Sequence, residues 1–304
     1  GLATDSDRCE LRHRALGDAA VAAVAAALRN PLCVSLTRLD LRDNDVRDAG
    51  FVAIARGLTH NSVLTHLDLS DNPGPKLTGV EALRDALDPN CARRLKDSHC
   101  ALTTLRLSNV GLDDVCGAKL GEVFADNSSV KSLDLSRNQL GPLTSAALAS
   151  SVDQNQGVVE LNVSRNNFGA RCAARFAALV KVNATIRILD ISHNGLEDEG
   201  TETIGLMLGG EVELKSLDLS ATRMGERGAA AVAASLSRNE SLESLHVGRN
   251  PTSRKAIDAI VNAANARNKT AAGKKAPLLV TLEGARLSSI EADVVAAARR
   301  AEEA

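Results

Sequence analysis

The sequence predicts an α/β solenoid, a stack of strand–helix units sharing one parallel sheet and one layer of helices. Three observations predict it. A phrase running Ile186-x-x-Leu189-x-Ile191-x-x-Asn194-x-Leu196 restarts at Leu214, and successive starts from Leu102 to Leu242 keep an interval of 28 residues without slippage. Within the phrase Leu189 and Ile191 alternate with Asp190, which puts the apolar pair on one face of a short strand and the carboxylate on the other. After the phrase Gly200, Ile204 and Leu208 follow at four-residue steps, the inward stripe of a helix. One such unit cannot bury its own apolar face, whereas stacked copies can.

Repeats begin near positions 6, 36, 64, 102, 130, 158, 186, 214, 242 and 277, about ten in all. The first, spanning 1–35, is atypical: Cys9-Glu10-Leu11 stands for the strand, Arg14 replaces the Asn, and its Ala-rich helix is read through Ala20, Val24 and Leu28. The regular array covers 36–264. Its second repeat is clean, with Leu36, Leu39, Leu41, Asn44 and Val46, then Gly50, Ile54 and Leu58. The third keeps Leu64, Leu67, Leu69 and Asn72, adds one residue in Pro73-Gly74-Pro75, and is followed by an insertion at 91–100. That insertion maps to an exposed, partner-facing loop on the strand-entry edge. In the fourth repeat Val110 takes the Asn position; the fifth and sixth are regular; in the eighth Thr222 replaces Asn; and the ninth ends its strand phrase in Asn250-Pro251. The final segment, 265–304, reads as a polar loop and a capping repeat built on Val280-Thr281-Leu282, a helix from Ser289, and a charged end with Arg299, Arg300, Glu302 and Glu303. The whole of 1–304 is one domain on this reading.

Asn194 and its equivalents are expected to turn their amides into the bend after the strand. Apolar content of 44%, charged content of 24% and a net charge of −2 are ordinary for a soluble protein and give no case for a nucleic-acid or membrane-surface binder. No apolar run approaches the length of a membrane span. Four Phe, no Trp and no Tyr leave Leu, Val and Ala to fill the core, and Arg as the main anchor for a partner. Cys116 and Cys172 fall where Gly200 and Gly228 fall in later repeats, and Cys9 takes a strand Leu position. Thiols used as small core residues point to a reducing compartment, hence a cytoplasmic setting. Cys91 and Cys100 read as free thiols in an exposed insertion rather than, with His99, a metal or disulfide site. The chain has no initiator Met and begins inside a repeat, so it reads as a fragment or processed form. The sequons at Asn127, Asn162, Asn183, Asn239 and Asn268 read as unused by-products of Asn-rich repeats.

The wording Leu-x-Leu-x-x-Asn-x-Leu, then Gly-x-x-x-Ile/Val/Leu-x-x-x-Leu, at period 28, resembles the ribonuclease-inhibitor-like class of leucine-rich repeats. That class includes ribonuclease inhibitors, Ran GTPase-activating proteins, the recognition domains of NOD-like receptors, tropomodulin's C-terminal region and several ciliary proteins. The resemblance implies a horseshoe, with the parallel sheet on the concave face and helices on the convex face. The chain departs from ribonuclease inhibitors in using one repeat type, few Cys, and no Trp or Tyr. It departs from the Ran activators in lacking an acidic tail.

Outward strand side chains form ladders across repeats. The central one runs Glu10, Asp40, Asp68, Arg106, Asp134, Asn162, Asp190, Asp218 and His246; strands about 4.8 Å apart make Asp190 and Asp218 neighbours. Three residues further along runs His13, Asp43, Asp71, Asn109, Arg137, Arg165, His193, Ala221 and Arg249, acidic early and basic late. Arg137, Arg165 and Arg249 are the leading contact candidates, with Arg106, His193, Asp134, Asp190 and Asp218 around them. No catalytic constellation is read: two neighbouring carboxylates alone make no acid–base pair. The scattered His66, His193 and His246 make no metal triad, and Gly273-Lys274-Lys275 lacks the rest of a phosphate loop. The expectation is a non-enzymatic scaffold, without cofactor, metal or small-molecule substrate, that binds another protein bearing an acidic patch on the concave face and strand-exit rim. The alternatives are a regulator of a small GTPase, like the Ran activators, and a structural subunit of a ciliary or cytoskeletal assembly.

Overall fold

The computed structural model describes residues 7–30, 33, 35–92, 100–152, 155–270, 273–274 and 276–282. Strands and helices alternate through them: β1 (Arg8–Glu10), α1 (Gly17–Leu28), β2 (Arg38–Asp40), α2 (Asp48–Leu58), β3 (His66–Asp68), α3 (Leu77–Leu87), β4 (Thr104–Arg106) and α4 (Asp114–Gly121). α4 tightens into a 3₁₀ turn over Glu122–Ala125. There follow β5 (Ser132–Asp134), α5 (Pro142–Val152), β6 (Glu160–Asn162), α6 (Ala170–Val182), β7 (Ile188–Asp190), α7 (Glu197–Leu208), β8 (Ser216–Asp218), α8 (Glu226–Leu236), β9 (Ser244–His246), α9 (Arg254–Asn268) and β10 (Leu279–Thr281).

The ten strands form one parallel sheet in chain order. Each Leu of the phrase lies beside its counterpart, as Leu161 beside Leu189 and Leu189 beside Leu217. The register carries the sheet past the insertion, setting Leu67 against Leu105. It also places Cys9 against Leu39 and Val280 against Leu245 at the two ends. Parallel strands stack about 4.8 Å apart while packed helices need about 8–10 Å, so the helix side is the longer one and the sheet lines the concave side.

The core lies between the sheet and the helices. Leu189, Ile191, Leu196, Ile204 and Leu208 are buried, as are all four Phe, of which Phe168 and Phe176 meet edge-on with centroids 5.1 Å apart. The inward stripe of α1 differs from the expectation: Val21, Ala25 and Leu28 are buried, and Ala20 and Val24 are only partly so. A run of alanines offers no contrast of size or polarity by which to set its rotation. Helices pack closely at Gly205, where a Cβ would lie 2.7 Å from the Val232 nitrogen. Gly74 has φ of 80°, and a Cβ there would strike the Val110 carbonyl.

Two sets of side chains tie each repeat to its neighbours. Where an Asn follows the strand, it does more than close its own bend. Asn138 Nδ2 donates to Leu135 O and Ser136 O in its own turn and to Leu107 O one repeat back. Its Oδ1 accepts from the Val110 and Leu112 N–H groups of that same earlier repeat. Asn72, Asn166, Asn194 and Asn250 bond backwards in the same way. The second set points forward. Asp114, in the first turn of α4, accepts from the N–H groups of Gly141, Leu143 and Thr144 at the start of α5. Asp18, Asp48, Asp198 and Glu226 do likewise for the following repeats. Leu77 occupies this acidic position in α3, and the next helix is instead capped by its own Asp113, which accepts from Cys116 N–H.

At the opposite edge Asn127, Asn183 and Asn239 are buried and donate to backbone carbonyls of the preceding repeat. Amides so engaged are closed to glycosylation. The six cysteines are free thiols, and Cys9, Cys116 and Cys172 are buried. Burial, then the Asp113 carboxylate, pushes the Cys116 thiol up to about 11. Most of the 91–100 insertion and the expected cap helix from Ser289 lie outside the described residues. Among those residues no helix is long and apolar enough to cross a membrane.

Candidate functional site: the concave face and its strand-exit rim

The last strand residues make the central row of the concave face, with Asp68 beside Arg106, Arg106 beside Asp134, Asp134 beside Asn162, Asn162 beside Asp190, and Asp190 beside Asp218. Asp134, Asp190 and Asp218 each accept the N–H of the serine two residues on, at 2.7–2.9 Å. Asn162 takes the same bond from Ser164. Small side chains (Ser132, Ser136, Ser164 and Ser192 among them) leave the floor open around these half-buried carboxylates. Burial first, and the neighbouring Asp218 carboxylate as well, pushes the Asp190 carboxyl above its usual range against the bonds from Ser192 and Ser164. Floor and rim together shape a shallow hollow of ≈ 540 Å³ that includes Arg42, Asp71, Arg106, Asp134, Arg137 and Asp190.

The rim row stands as read from the sequence, with one further property for which its Asp, Asn and His residues are suited. His13, Asp43, Asp71, Asn109, Arg137, Arg165, His193, Ala221 and Arg249 all have left-handed backbone, with φ of 52–58°. From His13 to Ala221 each donates its N–H to the next repeat while turning the chain out of the sheet, as Arg137 N–H does to Ser164 O and Arg165 N–H to Ser192 O. Side chains at this position therefore leave the sheet in one common direction.

Charge divides the row into two halves. In repeats one to four its residues are bonded to one another and to Arg42 in the row beside it: His13 Nδ1 lies 2.7 Å from Asp43, and Asp71 accepts from Asn109 Nδ2 at 2.8 Å and from Arg42 Nε at 2.6 Å. Desolvation raises the Asp71 carboxyl, but the bonds from Asn109 and Arg42 outweigh it and hold the group below its usual value. From repeat five onward the row holds no acid. Among the described residues Arg137 and Arg249 make no ion pair, and Arg165 Nη2 reaches only the His193 Nε2, at 3.2 Å. Burial and then the nearby Arg165 and Arg249 push the His193 imidazole below its usual value, with Asp218 and Asp190 opposing. Arg106, on the floor, stands 3.8 Å from Asp68.

The structure thus gathers Arg106, Asp134, Arg137, Asp190 and neighbouring residues on one surface, with Arg249 two repeats beyond His193. Reading the sequence row by row missed Arg42, which crosses from the row beside the rim to pair diagonally with Asp71. Among the described residues no group of three or more His, Cys, Asp or Glu is arranged to hold a metal ion.

Similarity to known proteins agrees with this architecture. A family model for the leucine-rich repeat matches residues 32–55, 60–73, 126–143 and 182–205. The chain is 32% identical to NACHT, LRR and PYD domains-containing protein 5 of Mus musculus over 43% of this chain and 10% of that protein. It is 28% identical to the ribonuclease inhibitor of Mus musculus, over 43% of this chain and 39% of that one. The crystal structure of the leucine-rich repeat domain of APL1B aligns with 80% of this chain and 62% of that one, at 20% identity and a TM-score of 0.44. The match covers well under half the length of both curated relatives. Ten strands stacked in register, Asn-closed turns and the family-model matches give the chain the fold of a leucine-rich-repeat solenoid, with repeats similar to those of ribonuclease inhibitor.

Proposed function

We propose that the chain is a non-enzymatic recognition module that binds another protein across its concave floor and the basic half of its strand-exit rim. Leucine-rich-repeat domains generally mediate contact between proteins, and here the partner is one that brings an acidic patch to Arg137, Arg165 and Arg249. The observation that carries the reading is the break in the rim row: its first four residues are bonded to one another or, through Asp71, to Arg42, whereas these arginines have no carboxylate within ion-pair reach among the described residues, Arg137 acting on Asp71 only from beyond it. Unpaired like charges in neighbouring repeats repel, and a partner's anions remove that cost. Arginine suits the task because its planar fork pairs bidentately with such groups. On the floor Arg106, Asp134, Asp190 and Asp218 supply the complementary polar contacts. The setting proposed is the cytoplasm or a cytoskeletal assembly within it, in keeping with the free buried thiols.

The test is a native pull-down, then titration of the captured partner against wild type and Arg137→Glu/Arg165→Glu at two ionic strengths. Both side chains are exposed, so the fold is retained. Affinity falls by about 2 kcal/mol or more, and added salt weakens the wild-type complex through its association rate. Unchanged affinity in the double variant overturns the reading.

A further inference from the structure

We propose that Arg165 and His193, flanked by Arg137, form a receptor for a single phosphate monoester carried on a polypeptide side chain. This rests on the rim reading above and names the chemistry the rim takes.

The three residues occupy the same position in consecutive repeats, and all three have the left-handed backbone that sends rim side chains out in one direction. Neighbouring strands are about 4.8 Å apart, a spacing at which two guanidinium forks and an imidazole reach one tetrahedral anion. Arginine nitrogens donate only, so at 3.2 Å from Arg165 Nη2 the His193 Nε2 is the acceptor, and the imidazole is neutral with its proton on Nδ1. A histidine holding its lone pair toward an arginine, with Arg249 adding to the positive field and only the floor carboxylates Asp218 and Asp190 opposing it, is a site without an anion of its own in direct contact. An incoming anion reverses the arrangement: it accepts from Arg165, and His193 gains a proton on Nε2 and becomes a further donor.

The amount of charge favours phosphate over carboxylate. One guanidinium fork satisfies a carboxylate, which brings a single charge and two oxygens. A phosphate monoester brings about −1.5 to −2 at neutral pH and three strong acceptor oxygens, matching two guanidiniums and a protonating imidazole. The surroundings favour one phosphate rather than a run of them. Asp134, Asp190 and Asp218 line the floor in the strands beneath this stretch of rim. A nucleic-acid backbone or an anionic bilayer brings further anionic groups against those carboxylates, whereas a modified side chain brings a single phosphate group.

The experiment follows the His193 ring protons by NMR in the full chain as pH is varied. One sample contains a phosphoserine-centred tripeptide, one the same peptide with Glu in place of phosphoserine, and one neither. His193 is assigned with His193→Gln. The phosphopeptide raises the His193 titration midpoint by about one unit, the Glu peptide raises it far less, and Arg165→Gln abolishes the rise while the other histidines titrate as before. No shift, an equal shift with the Glu peptide, or a shift that survives Arg165→Gln overturns the proposal. Tighter binding of phosphatidylserine vesicles or single-stranded DNA than of the phosphopeptide overturns its assignment to a polypeptide. Loss of the captured partner in Arg137→Glu/Arg165→Glu with His193 unmoved by phosphate retires this inference and leaves the rim reading standing. Unchanged partner affinity with a phosphate-responsive His193 does the reverse.

Discussion

Replacing Asn194 by Ala tests the account of what holds neighbouring repeats together. Asn194 Nδ2 donates to Val163 O, Ile191 O and Ser192 O at 3.0–3.1 Å, and its Oδ1 accepts from the N–H groups of Asn166 and Phe168 at 3.2 Å. The side chain is buried. Alanine orphans two buried N–H groups of the sixth repeat and takes one donor from each of three carbonyls. A buried donor left unpaired costs about 1–3 kcal/mol. Two of them, relieved in part by water entering the gap, cost about 3 kcal/mol. Thr222, the natural substitute at this position, provides the control. Its Oγ1 donates to Leu219 O at 2.8 Å, and its N–H stays bonded to Asn250 Oδ1 at 2.9 Å whatever its side chain. Thr222→Ala therefore costs about 1 kcal/mol, the net worth of one hydrogen bond. With no Trp or Tyr to report by fluorescence, the assay is urea unfolding followed by far-UV circular dichroism, comparing midpoints at unchanged slope. Equal losses at the two positions, or a loss below about 1 kcal/mol at Asn194, would refute the inter-repeat role of the amide.

The other predictions use the same methods. Asp190→Asn keeps an acceptor for Ser192 N–H, as Asn162 does for Ser164. It removes a repulsion with Asp218 of about 1 kcal/mol at roughly 5 Å in a water-like medium, so the melting temperature rises by about 2–4 °C at neutral pH. Because the folded Asp190 carboxyl titrates above its usual value, its charge opposes folding as pH rises through that range, and the gain shrinks in acid. A gain that persists unchanged below both carboxyl values would contradict this. For Asp114, burial raises the carboxyl but bonds from Thr144, Leu143 and Gly141 hold it below its usual value. Its contribution is complete above the unfolded value of about 3.9 and is lost as pH falls through the depressed folded value; Asp114→Asn lowers stability at neutral pH and flattens that acid limb. Gly205→Ala pushes a Cβ to 2.7 Å from the Val232 nitrogen and costs about 1–3 kcal/mol, whereas Gly210→Ala, 3.4 Å from Met207 O, is nearly neutral; equal melting temperatures would show that α7 and α8 yield.

Much of this architecture was legible because it repeats. A Leu every 28 residues fixes which strands pair and in what register, so Asp190 beside Asp218 followed from counting alone. What was hidden lacks a local signal. Arginine does not announce positive φ, so nothing at Arg137 or Arg165 foretold a left-handed rim; the Asp, Asn and His at the neighbouring positions favour it, but only the repeat shows that all share one backbone turn. Asn194 was read into its own bend, since residues nearby in sequence are visible there and the backbone one repeat back is not. Arg42 to Asp71 runs diagonally between rows, and rows were what the spacing revealed. Ala20 and Val24 were placed inward in α1 because alanines on every side erase the amphipathic contrast. The partner is the least legible part, since a rim side chain is free of packing and its identity records only what it meets.

The two sets of ties between repeats point opposite ways along the chain. The acids of the helix first turns reach forward, as Asp114 does to α5, and the strand-end amides reach back, as Asn138 does to Val110 and Leu112. A ribosome delivers the chain in one direction only. The helices α2, α3, α5, α8 and α9 therefore emerge to find an N-terminal acceptor already in place on the repeat before them. A repeat's own turn stays open until the next amide arrives. The newest repeat on the growing chain is thus half-finished at every moment of synthesis, and the one that follows completes it. At Val110 no amide comes to close the turn of the third repeat, and at Thr222 none comes to close that of the seventh, so these two junctions are held without the backward amide tie.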